Sequence, residues 1–410
     1  MSSPLLAAAA GLAGVPSSAL HAHPSLERLL QAIRKHMGMD VAFISEFKDG
    51  RRFFRQIEIG DSTLAIKPGD SDPLEESYCQ RVVDGRLPEL IPDACVNVEA
   101  LTLPATRAVP VGAHLSVPIR LADGRVYGTF CCFSHAPNPT LTERDLNVMR
   151  VFSDMAADQI QLDIDRQLAR HQIEERLEAV LRADGLRMVY QPIVDVATGL
   201  VVGFESLARF ASDPYRTPDI WFSEAGQVGR LVELESRAIR LALAGVAELP
   251  ASVYVTVNAS PETIVKGALA DVLRGHPLER LVVEVTEHQA IERYEDIAEA
   301  IAPLQRDGLR IAIDDAGAGY ASFRHVLNLH PHIVKLDNSI TRAIDVDRSR
   351  RALAAALCGF AAETGCGIVA EGVETQSELD AVRALGIGKA QGYHLGRPMS
   401  FVDARASLLH

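Results

Sequence analysis

Eight short runs rich in β-branched residues recur through the second half of the chain: Met188 to Val194, Val201 to Ala208, Val253 to Asn258, Leu281 to Thr286, Arg310 to Asp314, Ile333 to Leu336, Gly367 to Ala370 and Lys389 to Gly392. They are separated by stretches of helical length and periodicity, such as Leu231 to Leu249, Glu292 to Asp307, Arg348 to Thr364 and Gln376 to Gly386. Runs that alternate in this way mark parallel βα units. A series of eight predicts an α/β barrel of the TIM type, (βα)8.

Polar residues gather where those runs end: Glu205, Asn258, Glu284 with Glu287, Asp314 with Asp315, Lys335 with Asp337, Glu371 with Glu374, and Gln391. The C-terminal strand ends of such a barrel share one face, so these side chains are expected to converge. An acid at one strand end is commonly a solvated residue or a helix N-cap. A whole set is different, because carboxylates crowded together cannot all stay ionised without a cation between them. Carboxylate and amide oxygens, with no paired Cys or His at ligand spacing, suit Mg²⁺ or Mn²⁺ rather than zinc. The adjacent Asp314 and Asp315 suit two neighbouring ions, the arrangement of a two-metal phosphoesterase.

Eight motifs occur in order: YQPIVD from Tyr190, ESLAR from Glu205, VNAS from Val257, EVTE from Glu284, IDDAGAGYASF from Ile313, VKLD from Val334, AEGVET from Ala370 and QGYHLGRP from Gln391. Together they resemble the EAL-domain cyclic di-GMP phosphodiesterases, over roughly Leu177 to Leu408. The resemblance implies hydrolysis of cyclic di-GMP to linear 5'-phosphoguanylyl-guanosine with two divalent ions. It implies metal ligands at Glu205, Asn258, Glu284 and Asp314, with Asp315 helping to hold the second ion. Glu371 matches the general base and Lys335 the cation beside the attacking water. Gln191 and Arg209 match residues that grip substrate, and Gln391 one that lines the same site. Glu287 matches the anchor of the loop after the two aspartates, a loop tied to metal binding and dimerisation.

That chemistry suits the residue types on its own terms. Cleaving a phosphodiester needs a water deprotonated near neutral pH and a clamp on the charge that develops. A fixed ammonium at Lys335 and a bidentate guanidinium at Arg209 both serve the second need. One departure stands out: the family's DDFGTGYSSL loop is DDAGAGYASF here, with Ala316 for Phe, Ala318 for Thr and Phe323 for Leu. The alternative reading is therefore a weak or inactive barrel that acts as a cyclic di-GMP receptor.

The front half has another texture. Strand-like runs at Val41 to Phe47, Arg52 to Ile59, His114 to Leu121 and Arg125 to Phe133, the last two joined through Asp123-Gly124, predict hairpins in a small α+β domain. This part resembles a GAF domain, which implies a small-molecule ligand or a purely dimerising role. Cys79 is expected as a buried small hydrophobe and His114 as a satisfied strand-end histidine. Cys131 and Cys132 should face opposite sides of one strand. Leu141 to Leu181 reads as one helix capped at Thr142, either packed on its own domain or pairing two chains as a signalling coil. The expected divisions are a lead-in over 1–24, a GAF-like sensory domain over 25–140, a connecting helix over 141–176 and the barrel over 177–410, with a homodimer as the expected assembly.

A net charge of −13 without a basic run argues against a nucleic-acid polymer as partner. The six cysteines lack metal or redox spacing and fit a reducing cytoplasm. The apolar stretch Leu5 to Leu20 has no preceding Lys or Arg, unlike an export signal, and no run is long enough for a membrane span.

Overall fold

The computed structural model describes residues 24–60, 64–182, 185–212, 214–285, 293–316 and 326–409, without the side chains of Asp315 and Ala316. The expected lead-in up to residue 23, Glu287 and the 317–325 loop segment therefore lie outside the described residues. Two compact units divide between His171 and Gln172. No described helix is long and apolar enough to cross a membrane.

In the first unit, strands β1 (Val41–Lys48), β2 (Arg51–Ile59), β3 (Ser71–Pro73), β4 (Leu90–Ile91), β5 (Ala113–Arg120) and β6 (Val126–Ser134) form one sheet in the order β3-β2-β1-β6-β5-β4. All neighbours are antiparallel. Strand alternation sends Ala42, Ile44, Phe130 and Cys132 to one face, under the helix Pro24–Met37 and the first turns of the helix Glu143–Arg182. Val41, Phe43, Cys131 and Phe133 go to the other face, with Tyr78 and Cys79. Cys131 and Cys132 thus face opposite ways, as their spacing requires. Strands β3 and β4 span three and two residues, too short to show alternation in the sequence. At the expected cap the roles are reversed, since Thr142 N and Oγ1 each donate to Asp145 Oδ2 at 2.8 Å.

The long helix is not a bare connector. Leu146, Met149, Ala156 and Ile160 bury against the first unit's sheet, whereas Ile173, Leu177 and Val180 join Trp221, Phe210 and Leu234 in the second unit's core.

The second unit is a closed barrel ordered β10-β11-β12-β13-β14-β7-β8-β9. Its strands are β7 (Leu186–Asp195), β8 (Val201–Phe210), β9 (Tyr254–Ala259), β10 (Leu281–Val285), β11 (Arg310–Ala316), β12 (Ile333–Leu336), β13 (Gly367–Ala370) and β14 (Lys389–Ala390). One strand departs from the expected all-parallel series. β7 runs antiparallel to both β8 and β14. Only Val196–Leu200 separates β7 from β8, too few residues for the crossover a parallel pair needs. The chain turns back there instead, with Asp195 Oδ1 accepting from Ala197 N and Thr198 N and with Gly199 at φ +73°.

Inside the barrel, Ile193, Tyr254, Val282, Ala312, Ile333 and Val369 form an apolar layer. Side chains two residues away share a face of a strand. One pleat further along, Gln191, Glu284, Asp314, Lys335 and Glu371 therefore follow Ile193, Val282, Ala312, Ile333 and Val369 to the same side. The apolar layer is the floor beneath a polar one.

Candidate metal centre

Lys335 stands at the middle of that polar layer. Its side chain is 2% exposed, and Nζ lies 2.7 Å from Glu284 Oε2, 2.7 Å from Glu371 Oε1, 3.2 Å from Glu205 Oε1 and 3.2 Å from Asp314 Oδ1. One ammonium thus faces four carboxylates. Burial pulls its pKa down, but Asp314, Glu205, Glu284 and Glu371 more than offset this and hold it well above the ordinary lysine value. Burial also drives Glu284 well above the ordinary carboxylate range against the pull of Lys335, with Glu205 and Asp314 adding repulsion. Glu371 is pushed up to about 8, first by burial and then, against Lys335, by Asp314 and Glu205.

Such a surplus of negative charge calls for cations. Oxygens of Glu205, Glu284 and Asp314 all lie within 4.8 Å of one another. Glu284 Oε1 is buried with no hydrogen-bond partner among the described residues. An orphaned carboxylate oxygen inside an oxygen-only cluster fits a hard divalent ion. Asn258 sits beside Glu284 in the β9–β10 register and lines a cavity of about 400 Å³ with Asp314, Arg209, Phe222, Ser260 and Glu235.

Backbone contacts hold the remaining groups. Glu371 N donates to Leu336 O at 3.0 Å, and Gln391 N donates to Ala370 O at 2.8 Å. Gly372, at φ +67°, lets the chain turn immediately after Glu371. A Cβ on Gly392 would meet Val373 O at 2.1 Å, so only glycine admits this approach of the Gln391 and Glu371 segments. Gln391 Nε2 donates to Glu205 Oε2 at 2.5 Å and to Gln191 Oε1 at 3.0 Å, while Gln191 Nε2 donates to Gly396 O at 3.1 Å. Gln191 and Gln391 therefore form a relay that orients Glu205. Arg209 Nη1 donates to Ala208 O at 2.8 Å, and the guanidinium makes no ion pair among the described residues.

The strand-end acids do not all converge. Asp337 caps the helix Asn338–Thr341 by accepting from Ser339 N at 2.9 Å, and Glu374 is exposed. Both are the ordinary outcome for an acid at a strand end. Asp315 lies on β11, but its side chain is outside the described residues, as is the whole of Glu287.

Glu235 was not anticipated. It lies on the buried face of the helix Leu231–Leu243 and accepts from Ser260 N at 3.0 Å, from Ser260 Oγ at 2.8 Å and from Thr263 Oγ1. Those bonds pin the turn that follows Asn258. An acid on the apolar stripe of Leu231, Leu234, Ala238, Ile239 and Ala242 was the available signal.

The EAL domain profile matches residues 173–398. The chain belongs to the EAL domain family. The GAF domain profile matches residues 21–160. EAL relatives include the "Probable cyclic di-GMP phosphodiesterase PdeG" of Escherichia coli, 28% identical over 242 residues, covering 56% of this chain and 48% of that protein. The "Cyclic di-GMP phosphodiesterase PA2567" of Pseudomonas aeruginosa is 28% identical over 258 residues, covering 58% and 42%. This chain therefore spans less than half the length of either relative. Among solved structures, the EAL barrel is similar to "PaMucR Phosphodiesterase, c-di-GMP complex", with a TM-score of 0.52 and 26% identity over 57% of this chain and 99% of that one. The EAL domain protein from Listeria monocytogenes has the same fold, at a TM-score of 0.51 and 22% identity over 57% and 96%.

Proposed function

We propose that the EAL barrel hydrolyses cyclic di-GMP to the linear dinucleotide with Mg²⁺ or Mn²⁺, under the influence of the GAF domain. The observation that carries the reading is the cluster of Glu205, Glu284 and Asp314 oxygens within 4.8 Å of one another, one of them orphaned. The two named phosphodiesterase relatives support the same substrate.

Glu205, Glu284, Asp314 and Asn258 are the groups that would hold the ions, with Asp315 completing a second site. Bound divalent ions supply a lowered pKa for the attacking water and neutralise charge on the phosphoryl oxygens. Glu371 takes the proton from that water. A cation beside it favours its ionised form, bringing a carboxyl held at about 8 toward the operating pH of a general base. Lys335 places a fixed positive charge next to Glu371 and the ligand carboxylates, and Arg209 is free to clamp a phosphate oxygen pair. Gln391 and Gln191 keep Glu205 aimed inward. The apolar wall at Phe222 suits a base of the dinucleotide.

Purified protein incubated with cyclic di-GMP and Mg²⁺ is expected to yield linear dinucleotide by chromatography. EDTA should abolish the product, and Mg²⁺ or Mn²⁺ should restore it. The alanines at 316 and 318 favour a second reading, a receptor without turnover. Binding without product at any ion concentration would establish that reading and overturn the first. Comparing the full chain with one that begins near residue 165 tests whether the GAF domain controls turnover. We assign the protein to the cytosol on its cysteine usage.

The reading also makes the protein a homodimer paired along the helix Glu143–Arg182. Val151, Met155 and Leu162 stand 57%, 51% and 50% exposed there, on one seam of heptad spacing. Light scattering should report twice the chain mass, and a monomer at micromolar concentration would sink this assignment.

A further inference from the structure

The face of the first unit's sheet that packs Phe43 and Tyr78 holds two thiols that the proposed phosphodiesterase chemistry does not use. Cys79, on the short helix Tyr78–Val83, and Cys131, on β6, are both fully buried, and their Sγ atoms lie 3.4 Å apart. Burial matches the sequence expectation for Cys79, but its surroundings are not those of a small hydrophobe. Arg52 Nη1 donates to Cys79 Sγ at 3.1 Å, and the same guanidinium reaches Asp72 Oδ1 through Nε at 3.0 Å. The guanidinium also lies over the Phe54 ring, 4.5 Å from its centre. Cys131 Sγ in turn lies 2.9 Å from Ser116 Oγ and 3.0 Å from Thr129 Oγ1.

Arg52 favours a thiolate at Cys79, whereas burial and then Cys79 keep Cys131 a thiol against the pull of Ser116 and Thr129. Arg52 offers hydrogen to Cys79 Sγ, and the one Cys131 S–H stands between Thr129 Oγ1 at 3.0 Å and Cys79 Sγ at 3.4 Å. Burial opposes ionisation, but Cys131 and Arg52 overcome it and bring the Cys79 thiol down to about 6, while Cys131 stays well above the ordinary thiol value. His114 nearby contributes no charge. Contrary to the expectation of a satisfied histidine, neither ring nitrogen has a partner among the described residues, and burial, then Arg52, drives it to about 3.

We propose that Cys79 and Cys131 are an oxidisable dithiol that takes hydrogen peroxide as its co-substrate and closes to a disulfide inside the GAF domain. The Cys79 thiolate attacks one peroxide oxygen, the O–O bond breaks, and water departs with the proton that Cys79 had shed, leaving a sulfenic acid. Cys131 attacks that sulfur, the S–S bond forms as the S–O bond breaks, and the Cys131 proton leaves with the second water. Two thiols lose two electrons and the peroxide gains them. A nucleophile held as thiolate beside a resolving thiol is the arrangement this sequence requires. The barrel's own activity plays no part, so the proposal stands or falls separately from the EAL reading.

The test treats the full-length protein with hydrogen peroxide and maps peptides by mass spectrometry without reduction. A Cys79–Cys131 cross-link 2 Da lighter than the two free peptides, reversed by dithiothreitol, is the expected result. The cross-link should also raise the melting temperature of the unit by roughly 10 °C, because it constrains a loop of 52 residues in the unfolded chain. Cys131→Ser should halt at a sulfenic acid on Cys79 that dimedone traps. The wild-type measurement decides the matter even if that variant fails to fold. Exposed Cys95 is the internal control. Oxidation of Cys95 with both buried thiols still free, or Cys79 driven to sulfinic acid beside a free Cys131, would overturn the proposal.

Discussion

Replacing Lys335 with Met is expected to remove turnover and to destabilise the ion-free barrel by about 3–5 kcal/mol, the cost of taking one partner from a buried charge cluster. Met keeps the length and the apolar stem of the side chain, so the loss reports on charge rather than on a cavity. The ammonium is the cation that four carboxylates share. Without it they repel one another inside a buried site and stay folded together only by taking up protons or metal. Turnover should fall by roughly 10²–10³-fold or more, as when one preorganised oxyanion donor is removed from an active site. Mg²⁺ should then stabilise the variant by about 2.7 kcal/mol at a hundredfold excess over its dissociation constant, and by more than it stabilises the wild type at equal Mg²⁺, if ions take over the missing compensation. Thermal melts in EDTA and in Mg²⁺ measure both effects. An unchanged melt in EDTA would show that Lys335 compensates nothing.

Glu371→Gln separates chemistry from binding. The amide preserves shape but accepts no proton from water, so kcat should drop by roughly 10²–10⁴-fold while affinity for cyclic di-GMP, measured by calorimetry, changes only a few-fold. Full activity in the variant would remove Glu371 from its role. The same substitution has a stability signature. In ion-free protein Glu371 rises from an ordinary 4.5 to about 8 on folding, chiefly through burial. The folded state then holds a proton that the unfolded state has lost, so stability is greatest below about 4.5 and declines as pH rises toward 8. The slope for this single group is at most about 1.4 kcal/mol per pH unit. Glu371→Gln should flatten that decline in EDTA, and an unaltered pH profile of the denaturation midpoint would contradict the assignment.

Much of the barrel was written locally. Ile333–Leu336 and Gly367–Ala370 form strands at the predicted positions, and the helix Arg348–Thr364 has the predicted bounds. β-branched composition, helical period and turn residues act over a few positions and need no partner to be read. Even the direction of β7 was legible from the shortness of Val196–Leu200, a signal the repeating pattern obscured. The Gly317 to Phe323 portion of the altered loop and Glu287 lie outside the described residues.

By itself the sequence determined the number and order of the barrel strands, the polar residue that ends most of them and the oxygen chemistry of the site, because alternation along a strand assigns each side chain to a face. Tertiary structure alone decided which of those residues meet. Closure of the barrel put Lys335 among four carboxylates, threaded Gln191 and Gln391 onto Glu205, and sent Asp337 and Glu374 elsewhere. Tertiary packing also set Glu235 under Ser260 and, within the first unit, brought Cys79 to 3.4 Å from Cys131. These contacts join positions far apart in the chain, and their geometry depends on strand register and stagger, which no local pattern of residues encodes.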